Sequence, residues 1–438
     1  MSNDKPGRRV PTGRIARVGR LGALAGRIAT NVVTRGAGQW ATGKRPTLSG
    51  LLMTPANITR IADQLATMRG AAMKIGQLIS MDGGDFLPPE LAEILARLRD
   101  NAEPMPKAQL IEVLANQWQP DWQDTLLYFS FTPVAAASIG QVHKVITLDG
   151  DILAIKVQYP GVKASIDADV DNVATLIRLS GLIPKDVALQ TILDDAKAQL
   201  HQEADYQREA KMLSRYRQLC TPYTRFEIPQ VVESLTTDTV LAMTYHDGIP
   251  IEELTTASQG IRDAVMAALM TLFFREVFDF QLLQSDPNLA NYRYRLADDK
   301  LILLDFGATR EIPDAISRGY QQLLQAAADE DTKRMAVTAL ALGLILPSHS
   351  ALQRDAVVAI GMQACESIRH QGAYDFGNSD LLVQLHDMGM ALTYEHNFWH
   401  VPPADALFIH RKLGGLYMLA KRLGARMDMR AIAAPWLD

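Results

Sequence analysis

The sequence predicts an α+β protein with a helical N-terminal portion, a small unit that mixes strands and helices, and a largely helical C-terminal unit. Three observations predict this order. Between 54 and 80, Ile58, Ile61, Leu65, Met68, Ala72, Ile75 and Ile79 recur every three to four residues, the period of one helix face. Past Pro133 the texture changes: the stretch from Ser138 to Val145 and the run Ile152–Val157 read as strands, separated by the turn signal Asp149-Gly150. Helical text then returns over about 165–220 and 258–283, with strands over about 226–245 and at Leu301–Leu304, and nearly all that follows is helical. At 438 residues the chain has room for two to three core-bearing units, taking roughly 100–200 residues per domain.

Proline pairs and charge runs suggest where the parts divide. Residues 1–46 read as a basic arm, flexible or amphipathic; 47–132 as a helical extension; 133–245 as the strand-bearing unit; 246–438 as the helical unit. The formal net charge of -5 conceals a split. Residues 1–45 hold ten basic side chains and one acid, about +9, which leaves 34 basic and 48 acidic residues beyond them, about -14. Ile15, Val18, Leu21, Ile28 and Val32 share one helical face of the arm, with arginines on an overlapping face. The arm is therefore either a solvated tail or a helix that forms on an anionic membrane, where each Lys or Arg contributes ~1 kcal/mol. Nucleic acid is not the expected partner, since the arm has one aromatic residue, Trp40, and no recognition module.

Composition excludes other classes. With 48% apolar and 21% charged residues, the chain is neither fibrous nor disordered throughout. Cys220 and Cys365 alone cannot make a disulfide scaffold or a zinc site, and point to a reducing compartment. The longest apolar run, Ala336 to Leu346, stops at Pro347, well short of the ~20 residues a membrane span needs. Arg27 interrupts Leu21–Val33, so the start does not read as a secretory signal either.

The chemistry begins at Leu153-Ala154-Ile155-Lys156. On a strand, Ala154 and Lys156 share one face while Leu153, Ile155 and Val157 take the other. A small Ala that leaves room for a flat base, beside a Lys that reaches phosphate, suits a nucleotide site. Taken alone, the pattern more often marks a lysine on an exposed strand edge. Two further segments change the balance. Ser285-Asp286-Pro287-Asn288-Leu289-Ala290-Asn291 follows the long helix, and the apolar strand Leu301–Leu304 delivers Asp305-Phe306-Gly307. Asn291 stands five positions after Asp286, and Asp305 nineteen after it. That is the protein-kinase arrangement of a catalytic-loop Asp, a metal-binding Asn and a second metal-binding Asp. Two oxygen ligands from separate segments can hold Mg²⁺ against phosphate, with a carboxylate beside the attacking group.

Departures from an ordinary protein kinase are equally informative. No G-x-G-x-x-G precedes Lys156; Ala135-Ala136-Ala137-Ser138 stands there, and alanines cannot take the φ > 0 conformations of a glycine loop. Asp286 follows Gln284-Ser285 rather than His-Arg, and Asp305 leads through Ala308-Thr309-Arg310-Glu311 straight towards a helix, with no long activation segment. A platform for a peptide substrate is missing. A second Asp-Phe-Gly, Asp375-Phe376-Gly377, follows no apolar strand and no catalytic loop, and reads as a turn.

Together these motifs resemble the UbiB/AarF/ADCK atypical kinase-like family, tied to ubiquinone biosynthesis, over roughly residues 50–425. Lys74-Ile75-Gly76-Gln77 matches its KxGQ signature, Ala135–Ser138 its alanine-rich loop, Lys156 its nucleotide lysine, and Glu203-Ala204-Asp205 its ExD signature. Glu209 matches its helix glutamate, Asp286 and Asn291 its catalytic loop, Asp305-Phe306-Gly307 its metal motif, and His410-Arg411-Lys412-Leu413-Gly414-Gly415 its C-terminal region. The resemblance implies a protein-kinase-like bilobal α+β fold with a helical N-terminal KxGQ extension and a largely helical C-lobe. It implies ATP or ADP with Mg²⁺, the nucleotide held by Ala135, Ala136, Ala137, Ser138, Ala154 and Lys156, the metal by Asn291 and Asp305, with Asp286 orienting the attacking group.

Glu203 and Glu209, read on one helix, lie about 9 Å apart along its axis and about 120° around it, so one lysine does not serve both. The resemblance pairs Glu209 with Lys156 and Glu203 with Lys74, from a KxGQ helix over the active site where a protein substrate would enter. Asp205, four residues before Glu209, shares its face and is a further candidate to hold metal or lysine. The expected activity is ATP hydrolysis in connection with an isoprenoid quinone precursor or other lipid, alongside quinone-biosynthesis proteins, at the cytoplasmic side of a membrane. Peripheral contact is expected because the tail Leu416–Asp438 is short and broken by Lys421, Arg422, Arg426 and Arg430. The alternatives are a true protein or small-molecule kinase, and a non-catalytic nucleotide-gated lipid-binding scaffold.

Overall fold

The computed structural model describes residues 104–137, 139–180, 189–286, 288–400 and 402–437. The arm, the helical text over 54–80 with Lys74, Gly76 and Gln77, and Ser138 lie outside the described residues. The chain divides into two compact units, one formed by the described part of Met1–Lys211 with Gln230–Tyr245, the other by Met212–Pro229 with His246–Asp438.

The first unit is built on a sheet. Helix α1 (Lys107–Gln117) precedes β1 (Leu126–Phe129), β2 (Ala135–Ala137), β3 (Gly140–Thr147) and β4 (Ile152–Gln158). Three helices follow, α2 (Val162–Ser180), α3 (Leu189–Glu203) and α4 (Tyr206–Cys220). The chain then contributes β5 (Phe226–Glu227) to the second unit and returns to the first as β6 (Val240–Thr244). Sheet order is β1-β3-β4-β6 with β2 paired to β3, all neighbours antiparallel. The β3–β4 hairpin turns at Gly150, whose φ of 89° is open to glycine at no steric cost. Strand alternation sends Leu153, Ile155 and Val157 into a core with Val145, Val240 and Ala242, and Leu110, Leu114 and Trp122 close it. Residues 104–132 thus pack with this sheet, so the division expected at 132 falls inside one hydrophobic core.

The second unit is mostly helical. After β7 (Ile249–Pro250), helix α5 (Gln259–Phe274) ends in a π-turn over Arg275–Asp279, where Phe280 N–H donates to the Arg275 carbonyl at 2.7 Å. Gln281, at φ 48°, reverses the chain into β8 (Leu282–Gln284). The long helix expected over 258–283 therefore stops early. Strands β9 (Tyr292–Arg295) and β10 (Lys300–Leu303) form a sheet in the order β5-β10-β9-β7, and β11 (Thr309–Glu311) pairs with β8. Then come α6 (Asp314–Ala328), α7 (Thr332–Ala341), α8 (Ala351–Ala364), α9 (Glu366–Arg369), β12 (Tyr374–Asp375), α10 (Leu381–Met390), α11 (Ala404–Leu423), β13 (Arg426–Met427) and α12 (Met429–Ala433). Helix α11 stops at Gly424, whose φ of 59° supplies the left-handed cap residue. Among the described residues no helix is long and apolar enough to cross a membrane.

Candidate functional site

In the first unit the site is assembled by strand alternation and a helix junction. Lys156 lies on interior strand β4, between β3 and β6, and is only 6% exposed, so it is not the edge lysine its local pattern would suggest. Its ammonium donates to both carboxylate oxygens of Glu209, at 2.8 and 3.0 Å. Glu209 is fully buried in the first turn of α4, where the helix dipole favours an anion. Beside the pair, Gln158 Nε2 donates to the Ala204 carbonyl at 2.9 Å, tying β4 to the turn between α3 and α4. Close packing requires glycine at 140: a Cβ there would lie 2.3 Å from the Val157 carbonyl oxygen.

Two expectations for this unit are corrected. Glu203 and Glu209 do not share a helix, because α3 ends at Glu203 and α4 starts at Tyr206. The break falls at Asp205, whose Oδ1 accepts the Arg208 N–H at 2.9 Å and caps α4. Ala135, Ala136 and Ala137 are not a loop: they pair with Val142, Gln141 and Gly140 as strand β2. None has positive φ, which suits residues that carry a Cβ. Ala154 is buried on β4 and Glu203 at the end of α3, whereas Lys74 lies outside the described residues.

In the second unit Asp286, Asn291 and Asp305 come together through short-range bonds. Asp286 Oδ1 accepts the Asn288 N–H and its Oδ2 accepts Asn291 Nδ2, each at 3.2 Å. With the amide nitrogen of Asn291 so engaged, its oxygen is the atom left for a cation. The Asn291 carbonyl accepts the Leu304 N–H at 3.0 Å, one residue before Asp305, and Asp305 Oδ1 accepts the Gly307 N–H at 2.9 Å. These donors are all hard oxygens, and they are few. That fits Mg²⁺, which takes one or two carboxylates and completes its shell with water and substrate phosphate. No cluster of three or more His, Cys, Asp or Glu side chains able to hold a metal is present among the described residues.

Sequence reasoning missed the support beneath this cluster. Gln284 N–H donates to Glu276 Oε1 at 3.1 Å, and Gln284 Nε2 donates to the Asp305 carbonyl at 3.0 Å. Lys412, on α11, donates to the Gln284 carbonyl at 2.8 Å, to Gln284 Oε1 at 2.6 Å and to the Tyr292 hydroxyl. Tyr292 itself donates to Gln284 Oε1 at 3.0 Å, and Tyr216 to Glu276 Oε1 at 2.8 Å. Lys412 Nζ stands 3.7 Å from Glu276 Oε2, with the two residues 3% and 0% exposed. Burial pushes the Glu276 carboxyl up, against the pull of Lys412 and Tyr216. Burial also draws the Lys412 ammonium down, but Glu276, Tyr292 and Asp286 outweigh it and leave Lys412 above the ordinary lysine value. One signal was available: Glu276 follows Arg275 within an apolar stretch that includes Leu272, Phe273, Phe274, Val277 and Phe278.

The second Asp-Phe-Gly is a turn. Asp375 accepts from Asn378 and pairs with Arg426, while Phe376 is buried against Tyr374 and Tyr417.

A five-stranded antiparallel sheet bearing a Lys–Glu pair, and a helical unit bearing Asp286, Asn291 and Asp305, define a protein-kinase-like α+β fold. The comparisons make this particular. The chain belongs to the ABC1 atypical kinase-like family, whose domain model matches residues 97–339. It is 35% identical over 416 residues to atypical kinase COQ8, mitochondrial, of Saccharomyces cerevisiae, covering 95% of this chain and 83% of that one. It is 34% identical over 432 residues to atypical kinase COQ8B, mitochondrial, of Rattus norvegicus, covering 97% and 80%. Among solved structures, the Rv3197–erythromycin complex from Mycobacterium tuberculosis shares the fold, with a TM-score of 0.61 at 24% identity over 86% of this chain and 96% of that one.

Proposed function

We propose that this chain is a Mg²⁺-dependent ATP-hydrolysing member of its family that supports isoprenoid quinone biosynthesis at a membrane surface, and that it does not phosphorylate proteins in trans. The observation that carries this reading is the path of the chain after Asp305. Strand β11 pairs with β8 directly, and α6 begins at Asp314, so no segment is left to form a peptide platform. In the first unit Lys156, held by Glu209, braces phosphate, and β2 with Ala154 lies along the nucleotide. In the second, Asp286 orients a water and accepts its proton as the terminal phosphorus–oxygen bond to ADP breaks. Bound Mg²⁺ supplies charge neutralisation on the phosphate oxygens, and Asn291 and Asp305 hold it. Lys74, Gly76 and Gln77 are assigned to a segment that excludes protein substrates, with Glu203 as the partner of Lys74. The basic arm takes the anionic membrane and a quinone precursor is the lipid ligand. The yeast and rat COQ8 relatives named above support the pathway.

The test is phosphate release from ATP with and without lipid vesicles, alongside a search for a labelled acceptor. Vesicle-stimulated release that is lost in Asp286→Asn, with no acceptor labelled, is the expected result. Transfer of the γ-phosphate to a defined acceptor would overturn the hydrolytic reading in favour of a kinase. A deletion strain complemented with Asp305→Asn should lack quinone and accumulate an early precursor.

A further inference from the structure

We infer that Gln284 is a positioning residue that locks Asp286 and Asp305 into one register, and that the buried Lys412–Glu276 pair is the clamp that holds Gln284 in that role. The inference rests on the nucleotide-and-Mg²⁺ reading above and deepens it.

All four polar atoms of Gln284 are engaged, and each in a different duty. Its N–H is taken by Glu276 and its carbonyl by Lys412, which fixes the backbone of β8 two residues before Asp286. Its Oε1 accepts from Lys412 and from Tyr292, which directs Nε2 to the Asp305 carbonyl. The opposite amide orientation would set an NH₂ group against an ammonium that can only donate, so the network admits one orientation. Asp286 and Asp305 are thereby joined through a single side chain. Further ties link the same two segments: Leu304 N–H donates to the Asn291 carbonyl, and the Ser285 hydroxyl to the Ala308 carbonyl at 2.6 Å.

The local backbone is shaped for this purpose. The π-turn at Arg275–Asp279 and the left-handed Gln281 bring Glu276 back against Gln284 within eight residues, whereas an uninterrupted helix would carry the chain away from it. Lys412 arrives from α11, 128 residues further along the chain. A well-packed apolar pair could fill the same space at no loss of stability. What Lys412 and Glu276 add is hydrogen-bond direction at Gln284.

The test measures the Mg²⁺ concentration that half-saturates binding of a fluorescent ADP analogue to the full chain, together with the melting temperature. Gln284→Glu is isosteric: it keeps acceptors for Lys412 and Tyr292 and removes the donor to Asp305. Losing an outer-shell partner of a metal ligand costs roughly 10–100-fold in affinity or activity. The Mg²⁺ requirement of Gln284→Glu should therefore rise about tenfold or more in protein that still melts cooperatively. Lys412→Met should raise it as well, and if that variant does not fold, the Glu276→Leu/Lys412→Met double replacement takes its place. A Mg²⁺ requirement that stays at the wild-type value in a folded Gln284→Glu overturns the inference and leaves the function standing. Wild-type protein that binds no nucleotide overturns both.

Discussion

Two buried lysines sit in the two units, and they are held in different ways. Lys156 meets Glu209 in a paired contact through both carboxylate oxygens. Lys412 spreads its protons over a backbone carbonyl, an amide oxygen and a phenol, with Glu276 further off at 3.7 Å. The first arrangement sets the compensation of a buried charge in direct ion-pair contact. The second distributes it, so that its direction is over-determined. A lysine that must release a carboxylate to take phosphate suits the first, and a lysine that must never move suits the second.

The comparison breaks first at Glu209. Glu209→Gln leaves Lys156 buried without its carboxylate, and removing one partner of a buried pair costs about 3–5 kcal/mol. Urea unfolding should show that loss, and the Lys156→Met/Glu209→Leu double replacement should regain most of it. If the double variant is as unstable as the single one, the cost lies in packing and not in the broken ion pair.

Next in size is Asp305→Asn in the second unit. It removes a charged metal ligand, so Mg²⁺-dependent nucleotide binding measured by calorimetry should weaken by about 100-fold, the upper end for outer-shell losses. Full retention of binding would place the metal elsewhere.

Gly140→Ala sharpens the contrast within the first unit. A methyl group 2.3 Å from the Val157 carbonyl meets backbone, which cannot swing aside, so β3 and β4 must separate. Overpacking of this kind costs about 1–3 kcal/mol, to be read from thermal unfolding, with weaker nucleotide binding because β4 carries Lys156.

The smallest effect is a pH dependence confined to the first unit. His143 is fully buried, with Nδ1 donating to the Ser130 carbonyl at 2.7 Å. Burial lowers its pKa below the usual 6.5, against a smaller upward pull from that carbonyl. Below pH 6.5 the unfolded chain therefore binds a proton that the folded unit resists. The contribution of His143 is complete above that pH and declines on acidification, by at most ~1.4 kcal/mol per pH unit. Stability measured between pH 7.5 and 5.5 should fall less in His143→Gln than in the wild type, and equal slopes would remove His143 as the cause.

Much of this was legible in the residues themselves. Alternation along Leu153–Val157 placed Lys156 opposite the core-facing Leu153, Ile155 and Val157, and those three do enter the core. The five-residue step from Asp286 to Asn291 is short enough for one loop to join them, and Asn291 Nδ2 does reach Asp286. The departures after Asp305 were visible because they are runs of chain, and β11 leads to α6 as the text implied. Where reading failed, a local competitor won. Glu203 and Glu209 looked like residues of one helix, but a carboxylate at Asp205 takes up the Arg208 N–H and starts a second one. Ala135–Ala137 looked like a loop because they replace one in ordinary kinases, yet nothing in three alanines opposes strand pairing.

The sequence by itself determined the order of elements, the motifs and their spacing, and the family they resemble, because periodicity and short-range chemistry act over a few residues. Only the tertiary structure decided that Lys156 pairs with Glu209, that Lys412 is clamped at Gln284, and that Gln284 reaches the Asp305 carbonyl. Those facts depend on contacts between residues 53 and 128 positions apart. No local pattern specifies such partners, since they are selected by the packing of whole elements and by the cost of leaving a buried charge or amide without its hydrogen bonds.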